Sequence, residues 1–220
     1  MDQIFLAQAF RLAQQGRFTT DPNPRVGCVL VRDGRVIGEG FHQVAGGPHA
    51  EAEALANATE SVVGATAYVT LEPCSYHGRT PSCADALIKA GVIRVVAAAP
   101  DPHPRNRGAG FDLLEAAGIE VIRDGDQAGA KTLNPGHEKN HSEGRPYVRL
   151  KLAATMDGFT GLPNGQSQWI TSPAARLEVQ RLRAQSSAIV TGANTVLSDD
   201  PELTVRDPRI DPKHSDLILT

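Results

Sequence analysis

Long apolar runs are missing from this sequence. No stretch of 18 consecutive apolar residues occurs, which argues against a membrane-spanning helix. The first residues, Met1-Asp2-Gln3-Ile4, start acidic and lack the basic region, apolar stretch and cleavage site of a secretory signal. A cytoplasmic protein with no membrane partner is the expectation. Basic charge is not in excess either. Lysine and arginine number 22 against 25 acidic residues, the formal net charge is −3, and the two signs are interspersed. A nucleic-acid binder usually carries a basic stripe, so no nucleic-acid partner is expected, although local arginines could grip one anionic small molecule. Cysteines are few and odd in number, 3 in the chain. Without a signal peptide they do not make a disulfide framework, and Cys with His invites a metal reading instead. Internal repeats and low-complexity tracts are absent.

What is present alternates between helical and extended signals. Phe5, Ala9, Leu12 and Ala13 fall at helical spacing over residues 2–15, with Gly16 where a C-cap belongs. Val26–Arg32 and Arg35–Phe41 flank Asp33-Gly34, a dipeptide favoured in tight hairpins. The stretch HAEAEALANA at 49–58 is rich in helix formers. Short β-rich runs at Ala67–Leu71, Val92–Ala98 and Ile119–Ile122 are separated by helical stretches at Cys83–Ala90 and Gly110–Ala117. This order predicts an α/β sandwich with a mixed sheet. Asn134–Gly144 is polar, carries Pro135, Gly136 and Gly144, and reads as a linker. Beyond it, a strand is expected at Tyr147–Ala153, a helix from Pro173 to about Ala184, a strand at Ala188–Thr191 and another starting near Asp216. The domains expected are 1–144 and 145–220.

The chemistry-bearing residues cluster in the first of these. His49-Ala50-Glu51 opens a helix, Pro73-Cys74 ends a strand, and Cys83 begins the next helix. One imidazole and two thiolates are three zinc ligands, and a catalytic zinc site keeps the fourth position for water. The positive end of a helix favours thiolate over thiol. Glu51 can reach that water from outside the metal shell and carry its proton to a leaving amine. Zinc base deaminases use His-x-Glu followed by Pro-Cys and a second Cys, with two residues between the cysteines. Here Ser75 to Ser82 stand between Cys74 and Cys83, a departure from that spacing. Any one of these residues alone would more often be structural, and Cys28, inside the apolar strand Val26–Val31, is expected to be core.

The segment PCSYHGRTPSC, with PNPRVG at 22–27 and HAEAEAL at 49–55, resembles the bifunctional pyrimidine deaminase/reductase family of riboflavin biosynthesis. KLAATMDG at 151–158, SQWIT at 167–171 and TVLSDDPELTVR at 195–206 look like that family's reductase domain. The resemblance spans essentially the whole chain. It implies a cytidine-deaminase-like α/β/α sandwich followed by a dihydrofolate-reductase-like α/β domain, with Zn2+ and NADPH as cofactors. The first domain would remove the 2-amino group of a phosphorylated diaminopyrimidine as ammonia, and the second would reduce its ribose to a ribityl chain. By the same resemblance His49, Cys74 and Cys83 hold zinc and Glu51 is the general acid/base. Asn23 would hydrogen-bond the substrate, with a plain turn role as its alternative, and His42 and Arg79 would approach the ribose phosphate. In the second domain Lys151, Ser167, Arg183, Leu203 and Arg206 resemble substrate-side positions. Ala153, Trp169, Thr195 and Asp199 resemble positions lining NADPH, the alternative for Trp169 being a core residue.

Some positions depart from the family's usual pattern. Tyr76 and His103 stand where His and Asn are common, and Phe159 and Gly161 where a basic or polar residue and Ala are more typical. Family members also continue well beyond the equivalent of Thr220. The expectation is therefore the N-terminal part of a reductase domain, with a deaminase-only short form or a fragment as the alternative, and a homodimer as the assembly. Two other classes fit less well: editing of RNA bases, against which the charge and the cysteine spacing speak, and a zinc-stabilised scaffold, against which the count of three ligands speaks.

Overall fold

Side chains alternate across a strand, so a strand buried on both faces must be apolar throughout. Strand β1, Gly27–Arg32, is of this kind: Cys28 and Leu30 enter one core, Val29 and Val31 the other. The computed structural model of the protein describes residues 1–78, 81–210 and 218–219, the last two by backbone alone. It divides into two units, Met1–Tyr147 and Val148–Thr220.

In the first unit helix α1, Asp2–Ala13, leads through a single 3-10 turn into β1. The C-cap expected at Gly16 falls instead at Gln14, and Gly16 closes the 3-10 turn. β1 pairs antiparallel with β2, Arg35–Phe41, and Asp33 and Gly34 between them take φ of 51° and 75°, the two positive values that a type I′ hairpin turn requires. Then come α2 (Ala50–Ala56), β3 (Thr66–Val69), α3 (Cys83–Ala90), β4 (Arg94–Ala97), α4 (Ala109–Ala116) and β5 (Glu120–Ile122). The sheet order is β2-β1-β3-β4-β5; β1 is antiparallel to both neighbours, while β3, β4 and β5 run parallel. The mixed sheet predicted from the sequence is present. Ala54 of α2, Leu87 of α3 and Phe111 and Leu114 of α4 cover one face with Leu30, Val69 and Val95. Leu6 and Ala9 of α1 and Ala130 of α5 (Gln127–Leu133) cover the other with Val29, Tyr68 and Val96. Cys28 is fully buried in the first core, as expected.

The stretch expected to be a linker is instead a helix, α6, Pro135–Glu143. It buries no residue, so it lacks the apolar stripe that betrays most helices, but it carries the end signals: Pro135 at its first position and Gly144 in the left-handed conformation after its last. The parallel strands β3 and β4 deliver their carboxyl ends, residues 70–74 and 98–101, to one edge of the sheet, where α/β folds place ligands.

An ion pair fastens α1 to the sheet. Both Arg94 terminal nitrogens donate to the Asp2 carboxylate, at 3.1 and 2.9 Å, and the Tyr68 hydroxyl donates to Asp2 Oδ1 at 2.8 Å. The Arg94 hydrogen bonds, more than the opposing effect of burial, hold the Asp2 pKa down at about 2. Because the folded value lies below the unfolded one, this contribution is present above pH ~4 and is lost as pH falls towards 2. Both groups are partly exposed, so Asp2→Asn should cost no more than about 1 kcal/mol at pH 7 in urea unfolding, and the gap from wild type should close near pH 2. A gap that persists undiminished at pH 2 would place the effect elsewhere.

The second unit contains α7 (Pro173–Ala184), β6 (Ala188–Ile189), α8 (Ala193–Asp199) and β7 (Ile218–Leu219), with β6 and β7 parallel. The helix from Pro173 stands where the sequence places it, capped by the Ser172 side chain, which accepts from Ala175 N–H. The strand expected at Tyr147–Ala153 is not formed. Its alternating residues Val148, Leu150 and Leu152 are 77%, 81% and 74% exposed, and no described strand pairs with them. Alternation proposes a strand, but a neighbour's backbone has to complete it.

Candidate metal centre and active site

His49 is the N-cap of α2 and Cys83 the first residue of α3; Cys74 lies on the segment leaving β3. His49 Nδ1 is 3.6 Å from Cys74 Sγ and 3.3 Å from Cys83 Sγ, and the three donor atoms lie within 4.8 Å of one another. Tetrahedral zinc with bonds of about 2.0 Å to nitrogen and 2.3 Å to sulfur sets neighbouring ligands roughly 3.5 Å apart. The residues present fit that ion.

The thiols are already polarised. The Cys83 thiol hydrogen bond and His49 bring the Cys74 pKa down to about 4, and the backbone N–H of Cys83, at the start of its helix, donates to Cys74 Sγ at 3.3 Å. The hydrogen bond with Cys74 and burial push the Cys83 thiol up. The Cys74 contact raises the His49 pKa. Glu51, in the first turn of α2, is buried, and burial in the main lifts its carboxyl to about 7.

Backbone and side-chain hydrogen bonds fix the ligand-bearing segment. Ser82 Oγ donates to the Cys74 carbonyl at 3.0 Å while accepting from Asp85 N–H as the cap of α3, so one hydroxyl ties the two cysteines' segments together. Asn106 Oδ1 accepts from Ser75 N–H at 2.9 Å. The buried Glu72 carboxylate accepts three backbone N–H groups, from Asp101, Gly108 and Gly110, at 2.9–3.0 Å. Glu72 thus joins the end of β3 to the loop after β4.

A cavity of about 280 Å³ is lined by two of the three candidate ligands, His49 and Cys74. Asn23, His42 and Glu51 line it. His42 is 2% exposed; its Nδ1 donates to the Pro48 carbonyl at 2.8 Å, so its Nε2 accepts from Asn23 Nδ2 at 3.0 Å. Burial lowers the His42 pKa, which keeps the ring neutral at pH 7. Both ring nitrogens are engaged within the protein, and what His42 does in this geometry is hold the Asn23 amide. Arg79 lies outside the described residues.

Four groups that the sequence reading did not name as site residues also line the cavity. They are Asp101, His103, His137 and His141. Asp101 Oδ1 accepts from His103 N–H and from His137 Nε2, each at 2.9 Å. Burial raises the Asp101 pKa, but the hydrogen bonds from His137 and His103 outweigh it and hold the carboxyl below its usual value. His137 and His141, four apart in a helix, are neighbours by spacing alone, and that was the available signal.

In the second unit, Arg183 Nη1 donates to the Thr204 carbonyl at 3.0 Å, and Arg206 N–H donates to Gln180 Oε1 at 2.7 Å, which holds the segment after Leu203 against α7. Lys151, Ser167, Thr195 and Asp199 are exposed, and Ala153 is half-buried. Trp169 is 69% exposed with the Arg176 guanidinium 4.2 Å from its ring, so it is not the core residue that a lone Trp often is.

Residues 1–99 match the family described as the cytidine and deoxycytidylate deaminase zinc-binding region, and residues 146–217 match the RibD C-terminal domain. The riboflavin biosynthesis protein RibD of Escherichia coli (strain K12) is 58% identical over 210 residues, covering 96% of this chain and 57% of that protein. Among solved structures, RibD of Acinetobacter baumannii (form 1) superposes with a TM-score of 0.92 at 52% identity, over 98% of this chain and 61% of the other. The diaminohydroxyphosphoribosylaminopyrimidine deaminase/5-amino-6-(5-phosphoribosylamino)uracil reductase of Thermotoga maritima gives 0.89 at 43% identity, over 94% and 60%. The chain therefore spans a little under two thirds of these relatives.

Proposed function

We propose that the chain belongs to the bifunctional deaminase/reductase family of riboflavin biosynthesis and that its first unit is a zinc-dependent hydrolytic deaminase of a phosphorylated diaminopyrimidine. The substrate in this reading is 2,5-diamino-6-(5-phosphoribosylamino)pyrimidin-4(3H)-one. One observation carries it: His49 Nδ1, Cys74 Sγ and Cys83 Sγ converge within 4.8 Å beside the buried Glu51, at the wall of a cavity.

His49, Cys74 and Cys83 would hold the zinc, which when bound leaves a fourth position for water and lowers that water's pKa towards neutrality. Glu51 would take up the proton of the water whose oxygen bonds to C2 of the ring, and deliver it to the 2-amino nitrogen as the C2–N bond breaks, so that the nitrogen leaves as ammonia. Its burial suits both halves of that transfer, because a carboxyl near pH 7 gives and takes a proton at similar cost. Asn23, its amide nitrogen held by His42, would offer its carbonyl oxygen to the pyrimidine edge.

The second unit, in the same reading, is the N-terminal part of an NADPH-dependent reductase. Lys151, Ser167, Arg183, Leu203 and Arg206 belong to its substrate side, and Ala153, Trp169, Thr195 and Asp199 to its cofactor side. Its described strands number only two residues each, and Val148, Leu150 and Leu152 are exposed, so NADPH should be held poorly by this chain on its own.

One assay tests both halves: ammonia release from the diaminopyrimidine nucleotide, with zinc quantified and NADPH absorbance followed in the same sample. The expected result is ammonia, about one zinc per chain and no NADPH consumption. Zinc without ammonia would overturn the deaminase assignment, and steady NADPH consumption would overturn the reading of the second unit.

A further inference from the structure

The polar groups lining the cavity divide by what already satisfies them. Glu72 has three backbone donors and Asp101 has His103 N–H, His137 and Asn106. Asn23 and His42 hold each other. Next to Asp101 stand three imidazoles in a chain, with ring centres 4.5 Å apart between His103 and His141 and 4.6 Å between His137 and His141.

We propose that His103, His137 and His141 form the anion-binding end of this cavity and take the phosphate monoester of a sugar-phosphate substrate. The assignment rests on the deaminase reading above for its substrate, and on the following geometry for its site. His103 Nδ1 accepts from Arg105 N–H at 3.2 Å, which leaves the ring hydrogen on Nε2, a donor. His137 spends Nε2 on Asp101, which leaves Nδ1 for a ligand. Neither nitrogen of His141 has a hydrogen-bond partner among the described residues. The Arg105 guanidinium lies 4.2 Å over the Tyr76 ring, and that ring is 6.4 Å from His103, so a fixed positive charge borders the cluster.

Burial first, then His137 and His103, lower the His141 pKa, and of the groups facing it only Asp101 opposes this. A phosphate dianion can accept the Nε2 hydrogen of neutral His103 and supply the counter-charge for hydrogen carried on His137 Nδ1 and on His141. A metal ion fits less well. The His103 Nδ1 lone pair is already engaged and its Nε2 carries hydrogen, and only His49, Cys74 and Cys83 converge as a metal-ligand set among the described residues.

The test is a titration of the zinc-loaded full chain with ribose 5-phosphate, followed by the imidazole proton resonances, in wild type, His141→Leu and His103→Asn. Wild type should show saturable shifts at the three histidines, and each variant should bind about tenfold more weakly, the worth of one charge-assisted hydrogen bond. In the ammonia assay the preference for phosphorylated over dephosphorylated substrate should fall by about the same factor. No shift at these histidines, or equal affinity in folded variants, would overturn the proposal. So would a second equivalent of zinc that His141→Leu abolishes. If wild type binds ribose 5-phosphate but releases no ammonia, the deaminase reading falls and the anion site stands.

Discussion

Glu51→Gln should reduce ammonia release on the order of 10³-fold, while zinc content and unfolding midpoint stay at wild-type values. Glutamine keeps the length and shape of the side chain in the first turn of α2 and loses only the capacity to carry a proton. The ligand atoms come from other residues, so nothing in the metal shell is removed. Stability should not suffer, because the native carboxyl is buried and ionising it there already costs free energy, as its raised pKa records. Ammonia release within tenfold of wild type would show that some other group moves the proton. Loss of zinc together with activity would make Glu51 a structural support instead.

Gly110→Ala should be strongly damaging, costing about 3 kcal/mol and lowering zinc occupancy. A Cβ at Gly110 would sit 1.9 Å from the Pro73 carbonyl oxygen, and its next neighbours are the Pro73 carbonyl carbon and Glu72 Oε1. None of these is the free end of a flexible chain. Pro73 immediately precedes the ligand Cys74, whose own carbonyl is held by Ser82 Oγ and by Ala84 N–H. The strain has no outlet except through the ligand segment or the loss of the Gly110 N–H to Glu72 bond. Gly136→Ala, with no atom within 4 Å of the added methyl, is the matched control and should be neutral. Urea unfolding and zinc stoichiometry read both. A Gly110→Ala protein with a wild-type midpoint and full zinc would refute the close approach.

The zinc-ligand candidates could be read from the sequence because each sits at an element boundary that has its own local signal. His49 precedes a run of helix formers, Cys74 follows a β-rich run, and Cys83 begins a helix that occupies Cys83–Ala90 as expected. The alternation of apolar runs with helical stretches likewise gave the five-stranded sheet its order of elements. The opposite wall of the cavity was hidden for a physical reason. α6 is polar on every side, and a search for apolar periodicity passes over a helix that buries nothing. Glu72, Asp101 and Asn106 were missed because their roles depend on backbone N–H groups far along the chain, which no spacing rule encodes. Val148, Leu150 and Leu152 misled in the other direction: their alternation is real, but a pattern cannot supply the hydrogen-bonding neighbour.

The polar helix that escaped detection also gives the cavity two walls with different freedom to vary. Around the ligand residues, substitutions disturb a packed core and a web of backbone hydrogen bonds, so that wall has few tolerable alternatives. Residue 141 projects from a helix that buries no residue, and exchanging it puts little of the fold at risk, whereas His137 also carries the bond to Asp101. Related proteins can therefore diverge in what the pocket grips through this one helix while the reaction centre opposite it stays the same.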